Sequence, residues 1–593
     1  MSCSVVMAAE QDTKPTDYET VVEATQQSDS DYKKLKDRLF ERYAAFIARM
    51  EQSESGYTSI FSNSSGKLIN GSGAIPIDYE PWWQSAVAQP INHAVTDLAT
   101  DVTSLFTRAL KHSSQIRVFG DLPLIRETTI QEAESPYDVT LFAEGQFTDL
   151  DEPVGDDLQT GGPKRYEEHS KKIEYGVKKK FITGTEVELK QYIGDMDTNS
   201  TFFNPVEQAR TGTYLTIRQP LLKHFGIAYN QAPIDLANID HSIAQDELRR
   251  NVESHLLEVS RAYWGLYLER SLLLQKKHLA ERTGNLYRQM QKRTSMDVSS
   301  SLLARAKSLA SSHELSAMQA EFAMLNAQSR LRALVNDPEL TGSAALELVT
   351  SQLPTHQPFN VDYNDAMLTT LNNRPEVAQA VKHIQSAYLR LQRAENELRP
   401  SLDLFFQSYV KGLEGDYEYG TSYSNQFDEG NPSYTGGLRF SYPLGNNGAK
   451  ARYRRKQIEI RQLLHQLDTT VENVLLETQV SHRELEKNYR SMVQSQQIML
   501  ADKQEVKSLM SRVDYLLSTN DPYGDVLYRL MDAEERLSKS EELFSKSELT
   551  YNYSLYNLYR SMGILVSTQK IEFSKEQDTD ELPVVKVQKL VQE

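Results

Sequence analysis

The sequence contains one unusual pattern twice, about 220 residues apart. LTIRQPLLKHFG begins at Leu215 and LRFSYPLGNNG begins at Leu438; in both, apolar and polar residues alternate into a Pro-Leu pair that a long charged stretch follows. Further on, VESHLLE from Val252 matches VENVLLE from Val471. Self-similarity at this scale indicates a duplicated structural unit. We therefore expect two copies of one unit, each with a short helix, strands, a long helix, a turn and a long returning helix.

The long stretch after each Pro-Leu pair has the spacing of a coiled coil. Apolar residues recur at alternating four- and three-residue steps, the a and d positions of a helical seam. In the first copy they are Leu248, Val252, Leu256, Val259, Tyr263 and Leu266, and in the second Ile460, Leu464, Leu467, Val471 and Val474. Each descending helix is predicted to have about 70 residues and a length of ~100 Å. The returning helices are predicted over 299–336 and 522–562, with Pro522 in the first turn and Asn520 or Asp521 as the cap.

Six segments alternate apolar and polar residues with a period of two, which predicts strands with one apolar and one charged face. They are 137–147, 173–178, 187–190, 215–218, 401–407 and 438–442. Tyr409, Tyr434 and Tyr442 lie near the predicted strand ends, where an aromatic girdle would sit. The stretches 149–170 and 414–433 are polar and acidic and are predicted to be long loops. A soluble antiparallel sheet would show the same alternation.

Composition limits the classes of protein that these elements can build. The chain has 593 residues and a net charge of −17, from 82 acidic and 65 basic side chains. This balance argues against a nucleic-acid partner, which requires clustered Lys and Arg. The lone cysteine, Cys3, excludes a disulfide within the chain. No segment approaches the ~18–20 apolar residues of a spanning helix, so a membrane crossing would have to use a closed β-barrel.

Seven motifs together resemble those of the TolC family of outer-membrane efflux and secretion channels. They are LTIRQPLLKHFG, SRAYWGLYLER, NRPEVAQAVKHI, RAENELRPSLDL, GGLRFSYPLGNNGAKARYRR, ENVLLETQ and DPYGDVLYRLMDAEERL…LYRSMG, and they occur in the family's order from about Trp82 to Gly563. The resemblance implies a fold that mixes α-helices with a membrane β-barrel. In such proteins three protomers share one barrel, and an α-helical coiled-coil tunnel continues it into the periplasm.

The same resemblance implies a function and a set of partners. The function is that of a passive export conduit in the outer membrane, within a tripartite efflux pump or a type I secretion system. The partners are two further copies of the chain, a periplasmic adaptor (membrane fusion protein), an inner-membrane transporter and outer-membrane lipid. No cofactor and no nucleic acid are implied.

The expected organisation follows the two copies of the unit. Residues 1–9 are the remnant of a signal peptide and 10–85 an N-terminal extension. The first repeat covers 86–340, with short helices of a belt around the tunnel, barrel strands in 137–219 and tunnel helices in 221–337. A connecting segment covers 341–361, and the second repeat covers 362–563, with one belt helix, barrel strands in 401–442 and tunnel helices in 446–562. Residues 564–593 are expected to be a polar tail that is disordered or wraps on a belt of shorter helices.

Candidate site residues lie at positions that match the helical tips of the family, and in the Pro-Leu pattern that the chain contains twice. By the resemblance, Asp525, Tyr528 and Asp521 occupy positions of the periplasmic gate. Asp525 matches an acidic position of the family. Tyr528 replaces a second acidic residue, and Asp521 stands where the family can have a basic residue. A ring of Asp525 carboxylates would attract cations, although the residue can equally stabilise the helix N-terminus. The adaptor-docking tips are Asp297, Val298, Gly524, Val526 and Leu527. The transitions from strand to helix are Pro220, Leu221, Pro443 and Leu444, because proline suits the end of a strand and the start of a helix.

The chain departs from the family in three places. Residues 171–194 read as an additional hairpin, which either adds two strands to the barrel or folds beside it; we favour added strands. Residues 10–80 are the second departure: 31–50 read as a charged amphipathic helix that a Ser- and Gly-rich stretch follows, and the family offers no role for this segment. The C-terminal tail is the third departure.

Two other classes of protein are considered against this interpretation. An enzyme is not expected, because SHELSA from Ser312 lacks the second His of a zinc helix and GSGAIP from Gly71 lacks the strand and third Gly of a nucleotide loop. No metal or catalytic residues are therefore predicted. The alternative function is a soluble antiparallel coiled-coil scaffold, which the helices alone would favour.

Overall fold

The computed structural model describes residues 75–76, 78–91, 96–156, 158, 160–293, 298–342, 346–519, 522–576 and 584–589. These residues form two compact units. The first unit contains Ile125–Ser242 and Val381–His465, and the second contains the described residues before, between and after these segments. Cys3, the predicted signal segment 1–9 and the helix predicted over 31–50 lie outside the described residues, as does most of the predicted extension 10–85.

The elements alternate between strands and helices along the chain. The strands are β1 (Thr96–Thr100), β2 (Thr140–Pro153), β3 (Arg165–Lys180), β4 (Glu186–Thr198), β5 (Gln208–Pro220), β6 (Leu346–Thr350), β7 (Ser401–Gly415), β8 (Ser433–Ser441), β9 (Ile571–Glu576) and β10 (Val584–Lys589). The helices are α1 (Gln84–Val87), α2 (Val102–His112), α3 (Ser114–Glu134), α4 (Ile227–Lys292), α5 (Ser300–Val335), α6 (Pro338–Thr341), α7 (Tyr363–Asn373), α8 (Pro375–Asn396), α9 (Tyr419–Asp428), α10 (Asn447–Thr519), α11 (Gly524–Ser561) and α12 (Leu565–Thr568). A short 3-10 turn covers Ser135–Tyr137.

The first unit is built on one antiparallel sheet with the strand order β2-β3-β4-β5-β7-β8. All six strands predicted from the alternation are present. The additional hairpin, β3 and β4, lies within this sheet between β2 and β5, which agrees with the favoured alternative of added strands. Strands β2 and β8 form the two edges of the sheet, because each pairs with one neighbour only.

Both predicted long loops contain regular structure, and this part of the prediction is wrong. Strand β2 continues to Pro153 and β3 begins at Arg165, so that only 154–164 connect them. Backbone pairing does not require apolar side chains, and the ion pair between Arg165 Nε and Asp151 Oδ1 (2.5 Å) closes the acidic end of the hairpin. The second loop contains α9.

Tyr409 is also misplaced by the prediction. It is the ninth of the fifteen residues of β7 rather than a residue of its end. There its ring stacks on that of Tyr214 with the centroids 5.4 Å apart. The alternation identified the strand correctly, but it placed the strand's end several residues too early.

The two long helical pairs have the predicted lengths. Helices α4 and α5 have 66 and 36 residues, and α10 and α11 have 73 and 38. The seam predicted on α4 is buried: Leu248 is 3 % exposed, and each of the other five residues is 0 % exposed. On α10, Leu467, Val471 and Val474 are buried and Leu464 is half-buried. Burial of an apolar stripe with this period is what stabilises such helices.

The two returning helices begin differently. Helix α5 starts as predicted, because the Ser299 side chain caps it by accepting a hydrogen bond from the Leu302 amide (3.2 Å). Helix α11 starts at Gly524, so Pro522 lies before the helix and not in its first turn. The reason is the backbone of Tyr523, whose φ of −135° and ψ of 12° are not helical. The proposed caps Asn520 and Asp521 lie outside the described residues.

A buried arginine joins three segments of the second unit. The Arg270 side chain of α4 is fully buried and lies 2.6 Å from Glu347 Oε1 of β6. Its guanidinium also donates to the carbonyl oxygens of Val87, Gln89 and Leu348. Strand β6 belongs to the predicted connecting segment and pairs in parallel with β1. The charge is therefore matched by one carboxylate and three carbonyl groups, as a buried cation requires.

The C-terminal residues form a hairpin, so the prediction of a polar tail over 564–593 is wrong where the structure describes it. Helix α12 is followed by β9 and β10, which pair from Ile571 with Lys589 to Glu576 with Val584. Val585 packs against the hydrophobic core, and β10 contacts α2. Alternating apolar residues in a mostly polar segment suffice for a strand when a core lies beside one face.

Candidate functional site

One face of the six-stranded sheet presents apolar side chains in continuous rows. Leu141, Val177, Leu189 and Leu215 are successive ladder partners across β2, β3, β4 and β5. Ladder partners point to the same face of a sheet. Leu141 is 78 % exposed and Leu189 48 %. Further exposed members of this face are Ile173, Tyr175, Leu404, Phe406, Tyr434, Leu438 and Phe440.

Charged residues mark the limit of this apolar face. Along β7 the face extends from Leu402, the partner of Phe440, to Gly412, the partner of Thr211. Between these two rows the partners across the sheet are uncharged, with the exception of Lys179. The next row beyond Gly412 contains Lys171, Asp195 and Glu414. We call the rows from Leu402 to Gly412 the apolar band.

Helix α9 covers the Gly412 end of the band. Thr211 Oγ1 of β5 donates to the Ser422 carbonyl oxygen of α9 (2.8 Å), and Ser422 is fully buried. A Cβ atom on Gly412 would lie 1.9 Å from that same oxygen, so only glycine permits this approach. The rest of the band carries the exposed residues named above.

The opposite face of the sheet carries charges. Lys190 Nζ lies 3.0 Å from Glu174 Oε2 and 5.4 Å from the ring centre of Tyr214. Near the other end of the strands, Arg218 Nη2 lies 2.9 Å from Asp403 Oδ2. Further members are Lys172, Lys178, Glu188, Arg210, Lys411 and Arg439. The sheet therefore separates an apolar surface from a charged one.

The first predicted transition from strand to helix lies at the end of β5. Pro220 is the last residue of that strand, and the amide of Leu221 still donates to the Leu402 carbonyl oxygen (2.7 Å). His224 and Gly226 then adopt φ values of 67° and 97°, and α4 begins at the next residue. This left-handed backbone, rather than the proline ring, turns the chain into the helix.

The second transition has the same design. Pro443 and Leu444 follow the end of β8, Gly445 and Asn446 adopt φ values of 92° and 44°, and α10 begins at Asn447. Neither Pro220 nor Pro443 occupies the first turn of a helix, so that part of the prediction is wrong. Leu444 is 97 % exposed.

The gate candidates lie at the start of α11. The Asp525 side chain is 76 % exposed, and its Oδ2 lies 3.4 Å from Arg529 Nε, one turn along the same helix. Tyr528 is half-buried under the guanidinium group of Arg305 of α5, whose central carbon lies 5.1 Å from the ring centre. Asp521 lies outside the described residues.

The residues predicted for adaptor docking are mostly buried. Val298 is 4 % exposed and Leu527 0 %, Gly524 is buried, and Val526 is half-buried. Asp297 lies outside the described residues. These residues shape the tips and offer little side-chain surface of their own. Beside them, Arg293 stacks on the ring of Tyr523 at 3.9 Å.

Three buried glutamates on α11 were not identified from the sequence. Glu534, Glu541 and Glu548 are seven residues apart and therefore lie on one face of the helix. Their partners are Arg282 Nη2 (2.8 Å), Trp82 Nε1 (2.8 Å) and His356 Nε2 (2.5 Å), respectively. Burial raises the pKa of Glu541 to about 7 and also raises the pKa of Glu548. The heptad spacing was a visible signal, but glutamates at such spacing usually face solvent.

None of the helices in the described part of the chain is both long enough and apolar enough to cross a membrane. Within the same residues, no three His, Cys, Asp or Glu side chains come together as a set of metal ligands.

No protein-family model and no curated protein matches the chain. Solved structures do match. The outer-membrane protein VceC of Vibrio cholerae aligns over 78 % of this chain and 96 % of its own, with a TM-score of 0.55 and 15 % sequence identity. The CmeC outer-membrane channel of Campylobacter jejuni aligns over 83 % and 94 %, with a TM-score of 0.53 and 12 % identity. The MtrE outer-membrane channel of Neisseria gonorrhoeae, solved in its open state, aligns over 78 % and 88 %, with a TM-score of 0.53 and 14 % identity.

These alignments cover 78–83 % of the chain. At such low identity they are evidence about the fold. The chain therefore has the fold of the solved outer-membrane channels, and the resemblance to the TolC family of channels is confirmed at the level of that fold.

Proposed function

We propose that this protein is a passive export channel of an outer membrane, the conduit component of a tripartite efflux pump or a type I secretion system. The proposal rests on the six-stranded sheet, which carries the apolar band on one face and charged residues on the other. Two of its strands lead directly into helices of 66 and 73 residues. Lipid outside and water inside is the arrangement that satisfies both faces.

The height of the apolar band supports a place in lipid. The band covers ten residue steps along β7, from Leu402 to Gly412. At ~3.4 Å per residue this is ~34 Å along the strand. A tilt of ~40° reduces the height to ~26 Å, close to the ~25 Å apolar band of outer-membrane barrels. A soluble scaffold would leave the same surface in water, which disfavours that alternative.

The sheet edges support a homotrimer. Strands β2 and β8 each have an unpaired edge, and exposed edges of this length are a liability unless another strand covers them. Joining β2 of one copy to β8 of the next would close a barrel. Three copies of six strands supply eighteen strands, within the size range of barrels that enclose an aqueous channel.

A stripe on α5 supports the same assembly among the helices. Leu315, Met318, Phe322 and Leu325 are spaced by three, four and three residues, the steps of a coiled-coil seam. They are 50 %, 51 %, 61 % and 45 % exposed. A helix of a neighbouring copy is the proposed partner of this stripe, and the helices together would form a periplasmic tunnel.

The tips are proposed to gate this tunnel. Three Asp525 side chains, one from each copy, would line its mouth together with Tyr528 and Asp521 and would favour cations. The contact between Arg305 and Tyr528 would stabilise the closed position of the helices at this mouth. A periplasmic adaptor is proposed to dock at the tips containing Asp297, Val298, Gly524, Val526 and Leu527. The inner-membrane transporter would supply the energy, because the proposed conduit is passive and not an enzyme.

The proposed organisation keeps the duplicated unit, with repeats over 86–340 and 362–563 joined by 341–361. The transitions at Pro220, Leu221, Pro443 and Leu444 would lie where the barrel meets the tunnel. Residues 1–9 are proposed to be part of a signal peptide, consistent with export to the outer membrane, and 10–85 an extension of the channel. The two structural units differ from the repeats, because each repeat contributes strands to the first unit and helices to the second.

Conductance tests the proposal. The full chain, purified in detergent and added to a planar bilayer, should produce discrete ion-conducting steps, and the protein in cells should float with outer-membrane fractions. A monomer that is soluble without detergent and shows no conductance would establish the scaffold instead.

A further inference from the structure

A cavity of about 370 Å³ lies in the first unit, where the ends of β3, β4, β5 and β7 meet the helices. Its wall includes Lys180, Arg218 and Arg393 as cations and Glu186 and Asp403 as anions. The side chains of Lys180, Glu186, Arg218 and Asp403 belong to the charged face of the sheet, as their ladder positions require. The wall thus carries one more positive than negative charge.

The charges of this wall are unevenly paired. Arg218 is satisfied, since it lies 2.9 Å from Asp403 and 3.9 Å from Glu186. Lys180 is the ladder partner of Glu186, yet in the described part of the chain it forms no ion pair. Both wall carboxylates are thus turned towards Arg218, and the Lys180 ammonium, although Glu186 lies opposite it in the ladder, is not bound to either of them.

Arg393 is the second cation without an acid. Its guanidinium lies over the ring of Tyr229, with the central carbon 5.1 Å from the ring centre. Its Nε atom is buried and has no hydrogen-bond acceptor within the described residues, where it also forms no ion pair. Among these residues the guanidinium charge therefore has no anionic partner, and an anion in the cavity, which Arg393 lines, would supply one through the terminal nitrogens of the group.

The rest of the wall sets the shape of the site. Tyr137 is held in place because its hydroxyl donates to the Asn230 carbonyl oxygen (2.5 Å). Its ring, the Tyr229 ring and the prolines Pro220 and Pro233 form an apolar part of the wall, and His224 and Asn230 add polar groups to it. The volume equals that of about twelve waters at ~30 Å³ each, so there is room for more than a bare inorganic anion.

From this arrangement we propose that the cavity binds a phosphate group, either free or as a phosphate ester, between the Arg393 guanidinium and the Lys180 ammonium. A planar guanidinium binds two oxygens of a phosphate at once, and the lysine adds a point charge. The site is independent of conductance, so it stands or falls separately from the channel function.

Calorimetric titration of the detergent-solubilised full chain with inorganic phosphate tests the site, at constant ionic strength against chloride. Arg393→Gln should weaken phosphate binding about tenfold or more, and Arg393→Lys should retain part of it, because the charge remains and the fork is lost. The matched control is Arg439→Gln, which removes an arginine from the same face of the sheet outside the cavity and should bind as the unchanged protein does. Circular dichroism verifies that every variant is folded.

A second arm distinguishes the sources of the phosphate. Thermal unfolding is compared in micelles of a phosphate-free maltoside detergent with and without added phosphatidylglycerol. A stabilisation by phosphatidylglycerol that Arg393→Gln abolishes, without binding of free phosphate, identifies a lipid headgroup as the ligand. Binding of free phosphate that depends on Arg393 identifies a soluble ligand. If Arg393→Gln behaves as the unchanged protein in both arms, or if neither probe binds, the proposal is wrong.

Discussion

Replacing Phe322 tests whether a second copy covers the stripe on α5. A phenylalanine buries about 200 Å² when it is fully enclosed, and Phe322 is 61 % exposed in the single chain, which leaves ~120 Å² for a partner. At ~25 cal/mol per Å² this is ~3 kcal/mol for each interface. A ring of three copies has three such interfaces, so Phe322→Ala should weaken the trimer by ~9 kcal/mol, or about a millionfold in its equilibrium constant.

Light scattering of the detergent-solubilised protein over a dilution series measures this change. The unchanged protein should remain trimeric throughout, whereas Phe322→Ala should dissociate on dilution and Phe322→Asp should be monomeric. Phe427→Ala is the matched control, because Phe427 on α9 is 57 % exposed but lies outside the stripe. If Phe322→Ala dissociates no more readily than Phe427→Ala, the stripe is not an interface between copies.

Three further predictions concern the gate and the helical core. Asp525→Ala should move the reversal potential of the channel in a salt gradient towards zero, as loss of cation selectivity requires; an unchanged potential would leave Asp525 a role only at the helix N-terminus. Arg270→Met should lower the free energy of unfolding by ~3–5 kcal/mol in denaturant, because it leaves Glu347 buried without its cation, and a loss below ~1 kcal/mol would contradict this. Burial raises the pKa of Glu541 from 4.5 to about 7, so the folded state keeps a proton that the unfolded chain releases, and stability should fall as the pH rises through that range. Glu541→Gln should therefore raise the melting temperature more at pH 8 than at pH 5, and equal gains at both values would refute the assignment.

Local periodicity predicted the elements because it needs no knowledge of distant contacts. A period of two marked each of the six strands, and heptad steps marked α4 and α10, since a side chain's face is decided by the residues next to it. The starts of the two returning helices show where local sequence is sufficient for a prediction and where it is not. Ser299 begins α5 as its type predicts, whereas the start of α11 depends on the backbone of Tyr523, which residue type does not reveal.

Features that require two distant segments were not predictable in this way. In the hairpin of β9 and β10, Val585 packs against a hydrophobic core that other segments build. Helix α9 packs on the sheet at Gly412, where the missing side chain lets the Ser422 carbonyl oxygen approach. Glu541 looks like an ordinary surface glutamate in the sequence, yet it is buried and its carboxylate accepts a hydrogen bond from Trp82 Nε1, which is 459 positions away in the sequence.

The sequence by itself determined the repeated order of strands and long helices and the faces that they present, because those follow from spacing along the chain. Only the tertiary structure decided which charges are paired and which are not. Lys180 and Arg393 are 213 positions apart in the sequence and line one cavity because β3 and α8 belong to the same unit. The closeness of such residues depends on the path of the chain between them, and spacing along the sequence does not describe that path.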